Sequence, residues 1–296
     1  METVGIVSPG AMGSAVGAAY ESAGRRVVAT VAARSARTVT LAEAAGLEVL
    51  PDLDRVVAES DLVLSVGQPD QALTIATELA AAAGRTGARP LVSDWNAVSP
   101  ATARELELVL AAAGLELVDG SISGGPPQAD YRTRVYLSGA RAAELAQRAP
   151  ARLELRIVGS DVGLASAVKM CTASVYKGHT ALLAQALATA HAHGVLGQVL
   201  DDLHESFPRQ IDGAARLLAV STTKSARYVG EMREIAATQE SAGMTPALFE
   251  AMAEVYLRLA QTKLAEEAPE SIPPEPELED VLDRLSLDAS RLLGRG

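Results

Sequence analysis

Cysteine, histidine and aromatic residues are all scarce here: 296 residues hold 1 Cys, 4 His, 1 Trp, 2 Phe and 6 Tyr. A lone cysteine, Cys171, cannot close an intramolecular disulfide, which removes the disulfide-stapled secreted class and points to a cytoplasmic protein. With aromatics at 3% there is no stacking platform for bases, and a net charge of -11 disfavours nucleic acid and anionic membrane as partners. His191 and His193 would diverge on a helix, and His179 and His204 lack acidic or cysteine companions at ligand spacing, so no metal site is expected. Apolar runs are short and broken by charge, so no membrane span is expected, and the opening METVGIVSPG has no basic stretch of the kind that begins a secretory signal. The length suits two domains with ample cores.

What is present is a βα alternation. The β-prone run Thr3–Val7 leads into Ser8-Pro9-Gly10-Ala11-Met12-Gly13, a helical stretch to about Ala23, and a second β-prone run from Val27 to Val31. A strand, a glycine-rich turn, a helix and a strand within about thirty residues is the spacing of a dinucleotide-binding βαβ unit. Ser8 stands in the first glycine position, Gly10 where backbone must approach a pyrophosphate, and Gly13 where helix must pack on strand. A tight turn built only for packing is the alternative. After the second strand the chain carries Arg34, Ser35 and Arg37, with no Asp or Glu to receive a ribose 2′-hydroxyl. Arginine forks suit a 2′-phosphate, so NADP(H) is expected in preference to NAD(H), unless these are ordinary solvated residues before a helix.

Further strands are expected at 47–50, 62–66, 91–94 and 115–119, then 135–138 and 155–158, the earlier ones separated by alanine-rich helices. This predicts a doubly wound, mainly parallel sheet with helices on both faces. Ligands bind beyond the carboxyl ends of parallel strands. Val66 and Gln68 after the fourth strand and Asn96 after the fifth are therefore candidate cofactor contacts, although Asn96 could instead cap the helix beginning near Ser99. The loop from Asp119 to Pro127 contains Ser123, Gly124 and Gly125, whose hydroxyl and backbone N–H groups could hold a carboxylate or other oxyanion.

From Leu164 to Gly194 the chain has no proline and one interior glycine, Gly178, which predicts a helix of roughly 45 Å joining two domains. Lys169 and Lys177 lie eight residues apart on it and project from broadly the same side, which needs a partner on a segment this apolar. Helices are then expected at 197–204, 210–220, 222–242 and 246–266, an acidic, proline-rich linker at about 266–278, and an amphipathic segment at 280–293 presenting Val281, Leu282, Leu285 and Leu292. Arg227, Tyr228 and Glu231 sit where they could reach a substrate or a partner subunit, or form a salt-bridged helix face.

Taken together, GIVSPGAMG, DGSISGG and the element Gly163-Leu-Ala-Ser-Ala-Val-Lys169 resemble the β-hydroxyacid dehydrogenase superfamily, which includes 6-phosphogluconate dehydrogenase, 3-hydroxyisobutyrate dehydrogenase and tartronate semialdehyde reductase. The resemblance implies an NADP-binding Rossmann domain, residues 1–160, followed by an all-helical substrate and dimerisation domain, residues 161–296, in a homodimer. It implies that Lys169 is the general acid/base and that Ser123, Gly124 and Gly125 bind a substrate carboxylate. The family's two asparagines after the lysine are replaced by Thr172 and Ala173, so Tyr176 or Lys177 is expected to take over that contact, in a less-characterised branch with a divergent helical domain. The expectation is an NADPH-dependent oxidoreductase moving hydride to or from a small carbonyl or hydroxy compound bearing an anionic group. Imine reduction and a non-catalytic NADP-binding sensor or scaffold are the alternatives.

Overall fold

The structure, a computed structural model, describes residues 1–32 and 34–285, and the chain divides into two compact units, Met1–Cys171 and a second from Thr172 onward. The first unit alternates strands and helices: β1 (Thr3–Val7), α1 (Ala11–Glu21), β2 (Arg26–Thr30), α2 (Ala36–Ala44), β3 (Glu48–Leu50), α3 (Leu53–Glu59), β4 (Leu62–Ser65), α4 (Ala72–Thr86), β5 (Leu91–Asp94), α5 (Pro100–Ala112), β6 (Leu117–Ser123), β7 (Thr133–Ser138), α6 (Ala142–Gln147) and β8 (Leu153–Gly159).

These strands form a single sheet in the order β3-β2-β1-β4-β5-β6-β7-β8. Pairing is parallel through β6; β7 runs antiparallel to β6, and β8 parallel to β7. The first six strands have the order of a doubly wound dinucleotide fold, whose crevice opens where β1 and β4 send their connections to opposite faces. Both faces are covered, as the apolar strands require. Ile6, Leu62 and Leu64 pack with Val16 and Tyr20 of α1 on one side, and Val7 and Val63 pack with Ile75, Leu79, Leu106 and Leu110 on the other.

β6 is longer than its sequence pattern indicates: it runs through Ser123, so Ser121 and Ile122 are strand residues and the loop begins at Gly124. Pairing with β7 along 119–123 extends it, a tertiary effect that local propensity cannot register. Gly120 within this strand leaves room for Trp95, since a Cβ there would stand 2.2 Å from the indole Cδ1. The buried indole in turn donates to Ser93 Oγ at 2.8 Å, and that hydroxyl to the Val118 carbonyl at 2.8 Å.

α7 (Leu164–Ala192) carries the chain past the division. The second unit adds α8 (Leu196–Ser206), α9 (Pro208–Ile211), α10 (Ala214–Thr222), α11 (Ser225–Ser241), α12 (Ala247–Leu259) and α13 (Leu278–Leu285). The single helix expected over 210–220 is divided by Gly213, which takes φ +75°. Gly178 allows α12 close to α7, with Met252 Sδ 3.4 Å from where a Cβ would be. The helix expected over 246–266 ends at Leu259 and is followed by a 3-10 turn, Lys263–Glu266; the acidic, proline-rich stretch after it contains a second, Pro269–Ser271, and is anchored where Arg216 donates to the carbonyls of Ile272 and Pro273. Val281, Leu282 and Leu285 of α13 are buried, whereas Leu292 lies outside the described residues. No helix among the described residues is long and apolar enough to cross a membrane.

Gly120→Val should lower stability by about 1–3 kcal/mol through overpacking against Trp95, measured as a reduced midpoint in urea with an unchanged slope.

Candidate active site

The glycine-rich turn lies at the carboxyl end of β1. Ser8 holds φ +64°, a left-handed backbone conformation that costs a non-glycine residue about 1–2 kcal/mol. Its Oγ is buried without a hydrogen-bond partner. Gly10 caps α1, donates to the Ser8 carbonyl at 2.7 Å, and has open space where a Cβ would be. A Cβ at Gly13 would meet the Ser8 carbonyl oxygen at 2.6 Å, so helix and turn can touch only through glycine. Pro9 accepts from Ser14 Oγ at 2.6 Å, which braces the turn, while Ala11 is exposed and Met12 half-buried. With no side chain capping α1 and no acidic residue in its first turn, its N–H groups and dipole suit a pyrophosphate. A strained, orphaned hydroxyl and a glycine cradle together fit a dinucleotide better than they fit a turn made for packing.

Beyond β2, Ser35 is the N-cap of α2 and accepts from the Thr38 N–H at 3.3 Å. Arg34 and Arg37 are exposed on either side of it. The two arginines therefore lie next to the N-cap of a helix with no acidic residue in its first turn.

At the ends of β4 and β5 the candidates divide. Val66 is buried and donates its N–H to the Val7 carbonyl at 3.2 Å, tying β4 to β1, while Gln68 is exposed. Asn96 is buried and does not cap a helix, because Ser99 does so by accepting from the Thr102 N–H at 3.2 Å. Its amide instead donates to Ser65 Oγ at 3.0 Å and Asp94 Oδ2 at 2.7 Å, and its Oδ1 accepts from the Gly67 N–H.

The most constrained group is Asp119 on β6, 2% exposed. Oδ2 accepts from Gly163 N–H at 2.9 Å, Ser166 N–H at 3.1 Å and Ser138 Oγ at 3.0 Å, and Oδ1 accepts from Ser166 Oγ at 2.7 Å. The carboxylate thus acts from a distant strand as the N-terminal cap of α7, whose first turn offers no acidic residue of its own. Two further contacts continue along the same pair of elements. Ser121 Oγ donates to the Ala165 carbonyl at 2.7 Å, and Lys169 Nζ donates to the Ile122 carbonyl at 2.7 Å.

This places the Lys169 amine at the residue before Ser123, Gly124 and Gly125. Gly124 holds φ +120° with the Tyr131 hydroxyl 2.2 Å from the place of a Cβ, and the Gly125 carbonyl accepts from Thr133 Oγ1 at 2.7 Å. The structure thus brings the Lys169 amine to the strand residue that precedes the serine and the glycine pair. Asp119 and Tyr131 were not legible as parts of this arrangement. Their only signal was position, at a strand end and in the loop that follows it.

In the second unit Thr172 is half-buried, Tyr176 is 71% exposed and Ala173 is buried. Lys177 forms an ion pair with Glu231, whose side chain is 4% exposed, and its Nζ lies 4.2 Å from the centroid of the Tyr228 ring. Arg227 also reaches Glu231, at 3.2 Å. The residues expected to meet a ligand thus form a cation–carboxylate–cation group, and burial pushes the Tyr228 hydroxyl above its ordinary pKa.

Asp119→Ala strips four buried donors of their acceptor, and a loss of roughly 2–5 kcal/mol should follow, read by denaturant unfolding.

Residues 3–154 match the family model described as the NAD binding domain of 6-phosphogluconate dehydrogenase, and residues 190–259 match a domain of unknown function (DUF1932). A curated relative, an uncharacterized 28.5 kDa protein of Methanothermus fervidus, is 27% identical over 60% of this chain, and the match spans 66% of that protein's length. Among solved structures, 3-hydroxyisobutyrate dehydrogenase of Mycobacterium tuberculosis is 20% identical with a TM-score of 0.70, covering 97% of this chain and 100% of that one. An imine reductase of Streptomyces aurantiacus is 20% identical with a TM-score of 0.56, covering 87% and 94%. These two structures share the fold. Since the first family model spans more than half of the chain, the protein belongs to the family of the 6-phosphogluconate dehydrogenase NAD-binding domain, a family of NAD(P)-dependent oxidoreductases.

Proposed function

We propose that the protein uses NADP(H) to move hydride to or from a small carbonyl or hydroxy compound bearing an anionic group, with Lys169 as the proton donor and acceptor. The observation that carries this reading is the 2.7 Å contact between Lys169 Nζ and the Ile122 carbonyl, which holds an amine at the mouth of the Ser123-Gly124-Gly125 loop. When bound, the nicotinamide supplies or receives the hydride. The chain's own task is then the proton at the substrate oxygen, which a positioned amine can deliver or remove. The backbone N–H groups of the glycine loop and the Ser123 hydroxyl would hold the substrate's anionic group. Ser8 to Gly13 would cradle the pyrophosphate, with Val66, Gln68 and Asn96 at the adjoining strand ends. Arg34, Ser35 and Arg37 would meet the 2′-phosphate, supported by the lack of any acidic residue at that point. Apolar Val175, Tyr176 and Leu182, exposed along α7, support a homodimer through the helical unit.

Imine reduction is the second reading. It is favoured by the buried Ala173, which offers no amide where hydroxyacid relatives have asparagine, and by the likeness of fold to an imine reductase. Turnover of cyclic imines without turnover of small oxo acids would replace the carbonyl reading.

Lys169→Ala should cut kcat for the reduction of small oxo acids by roughly a hundredfold to ten-thousandfold while NADPH still binds. Full turnover in that variant would remove the lysine from the mechanism. Replacing both Arg34 and Arg37 by Ala should weaken NADPH binding by about tenfold to a hundredfold and leave NADH binding unchanged, as measured by calorimetry.

A further inference from the structure

Two aspartates stand in register on neighbouring strands, Asp94 at the end of β5 opposite Asp119 within β6. Both are buried, at 6% and 2% exposure, yet their surroundings differ. Asp119 accepts from four donors supplied by β7 and the start of α7. Asp94 is served by the Ser65 hydroxyl and by Asn96, whose backbone N–H reaches Oδ1 at 3.1 Å and whose Nδ2 reaches Oδ2 at 2.7 Å.

That pair of contacts has a directional consequence. Holding Nδ2 at the carboxylate and at Ser65 Oγ turns the other end of the amide, Oδ1, toward the Gly67 N–H. Gly67 follows β4 at the crevice, with Ser8 Oγ 3.6 Å from the place of its Cβ. The chain Asp94, Asn96, Gly67 therefore fixes the β4 segment that faces the glycine-rich turn.

A neutral Asp94 would carry a hydroxyl donor. It could then pair with Asn96 Oδ1, and the amide would turn over and set its NH2 against the Gly67 N–H, donor against donor. The geometry points to Asp94 as a positioning residue whose ionised form, acting through Asn96, holds the Gly67 segment in the shape that binds the dinucleotide.

The inference rests on cofactor binding at this crevice and not on the role of Lys169. Burial, with a smaller contribution from the Asp119 charge, pushes the Asp94 carboxyl up to about 7, so its charge changes in the neutral range. β4 brings only Ser65 to it and no ionisable group; β6 brings Asp119; and residues 163–168 at the start of α7 contain none. All four histidines, His179, His191, His193 and His204, belong to the second unit. A transition near pH 7 in dinucleotide binding accordingly has no histidine of the first unit to explain it.

NADH is the suitable probe, because it lacks the 2′-phosphate that titrates in NADPH. For the full chain the NADH Kd should rise about tenfold from pH 8 to pH 6, as the ionised fraction falls through a midpoint near 7. Asp94→Asn should bind at pH 8 as weakly as the wild type does at pH 6, with no pH dependence, and at pH 8 the loss should be equal for NADH and NADPH. Asn96→Ala should also be flat with pH although Asp94 still titrates. Circular dichroism checks the fold of each variant, and if Asp94→Asn fails to fold, Asn96→Ala decides. A wild type whose affinity is flat with pH, an Asp94→Asn that matches wild type at pH 8, or an Asn96→Ala that keeps the slope would overturn the proposal. Failure of the wild type to bind either cofactor would overturn the dinucleotide reading along with it.

Discussion

A single buried carboxylate, Asp119, ties β6 and β7 to the start of the long helix. Removing a carboxylate from water is costly unless its lone pairs are met, and here four donors from two other elements meet them. Two of those donors are the N–H of Gly163, just before the long helix, and that of Ser166 in its first turn, so satisfying the acid also fixes where that helix begins. Lys169 is on the same helix face as Ala165 and Ser166, and strand β6 meets these three through Ile122, Ser121 and Asp119 respectively. The amine's position is therefore set by its own bond to Ile122 and by the contacts that Ala165 and Ser166 make with the same strand one turn earlier.

Charge is distributed unevenly around that support. Asp94 and Asp119 stand side by side on adjacent parallel strands, and the Asp119 charge disfavours ionisation of Asp94. Donors cluster around Asp119 because β7 and α7 both start or end there. Asp94 is left with the Ser65 hydroxyl and the amide and N–H of Asn96, and desolvation outweighs these hydrogen bonds, so its carboxyl is raised. Asp119 fastens the start of α7, whereas Asp94 lies against Ser65 and Asn96, although both are aspartates in register on adjacent strands. Environment, and not residue type, separates their roles.

The second unit resolves its own electrostatic problem internally. Lys177 looks from the sequence like a cation in want of an anion on an apolar helix. It finds Glu231 on α11, with Arg227 on the other side and the face of Tyr228 beneath. Tyr228 in turn meets Tyr256 edge to face at 5.2 Å, and the Tyr256 hydroxyl donates to the Lys177 carbonyl at 2.8 Å. Such a group fixes register between α7, α11 and α12, because leaving any one of its buried charges alone would be costly.

Short windows of sequence carried the alternation of strands and helices, the glycine-rich turn at Ser8 to Gly13, the proline-first helix at Ser99-Pro100 and the long helix from Leu164. Each depends on local periodicity, capping or turn chemistry, which neighbouring residues decide among themselves. The family motif likewise marked Lys169 and the Ser123-Gly124-Gly125 loop, because their spacing is contiguous. Tertiary structure alone decided the extension of β6 to Ser123, the caps that Asp119 supplies, the turning of Asn96 toward Gly67, and the pairing of Lys177 with Glu231. Those contacts join residues far apart in the chain, and their strength comes from burial and donor geometry, neither of which exists until the sheet and helices have packed.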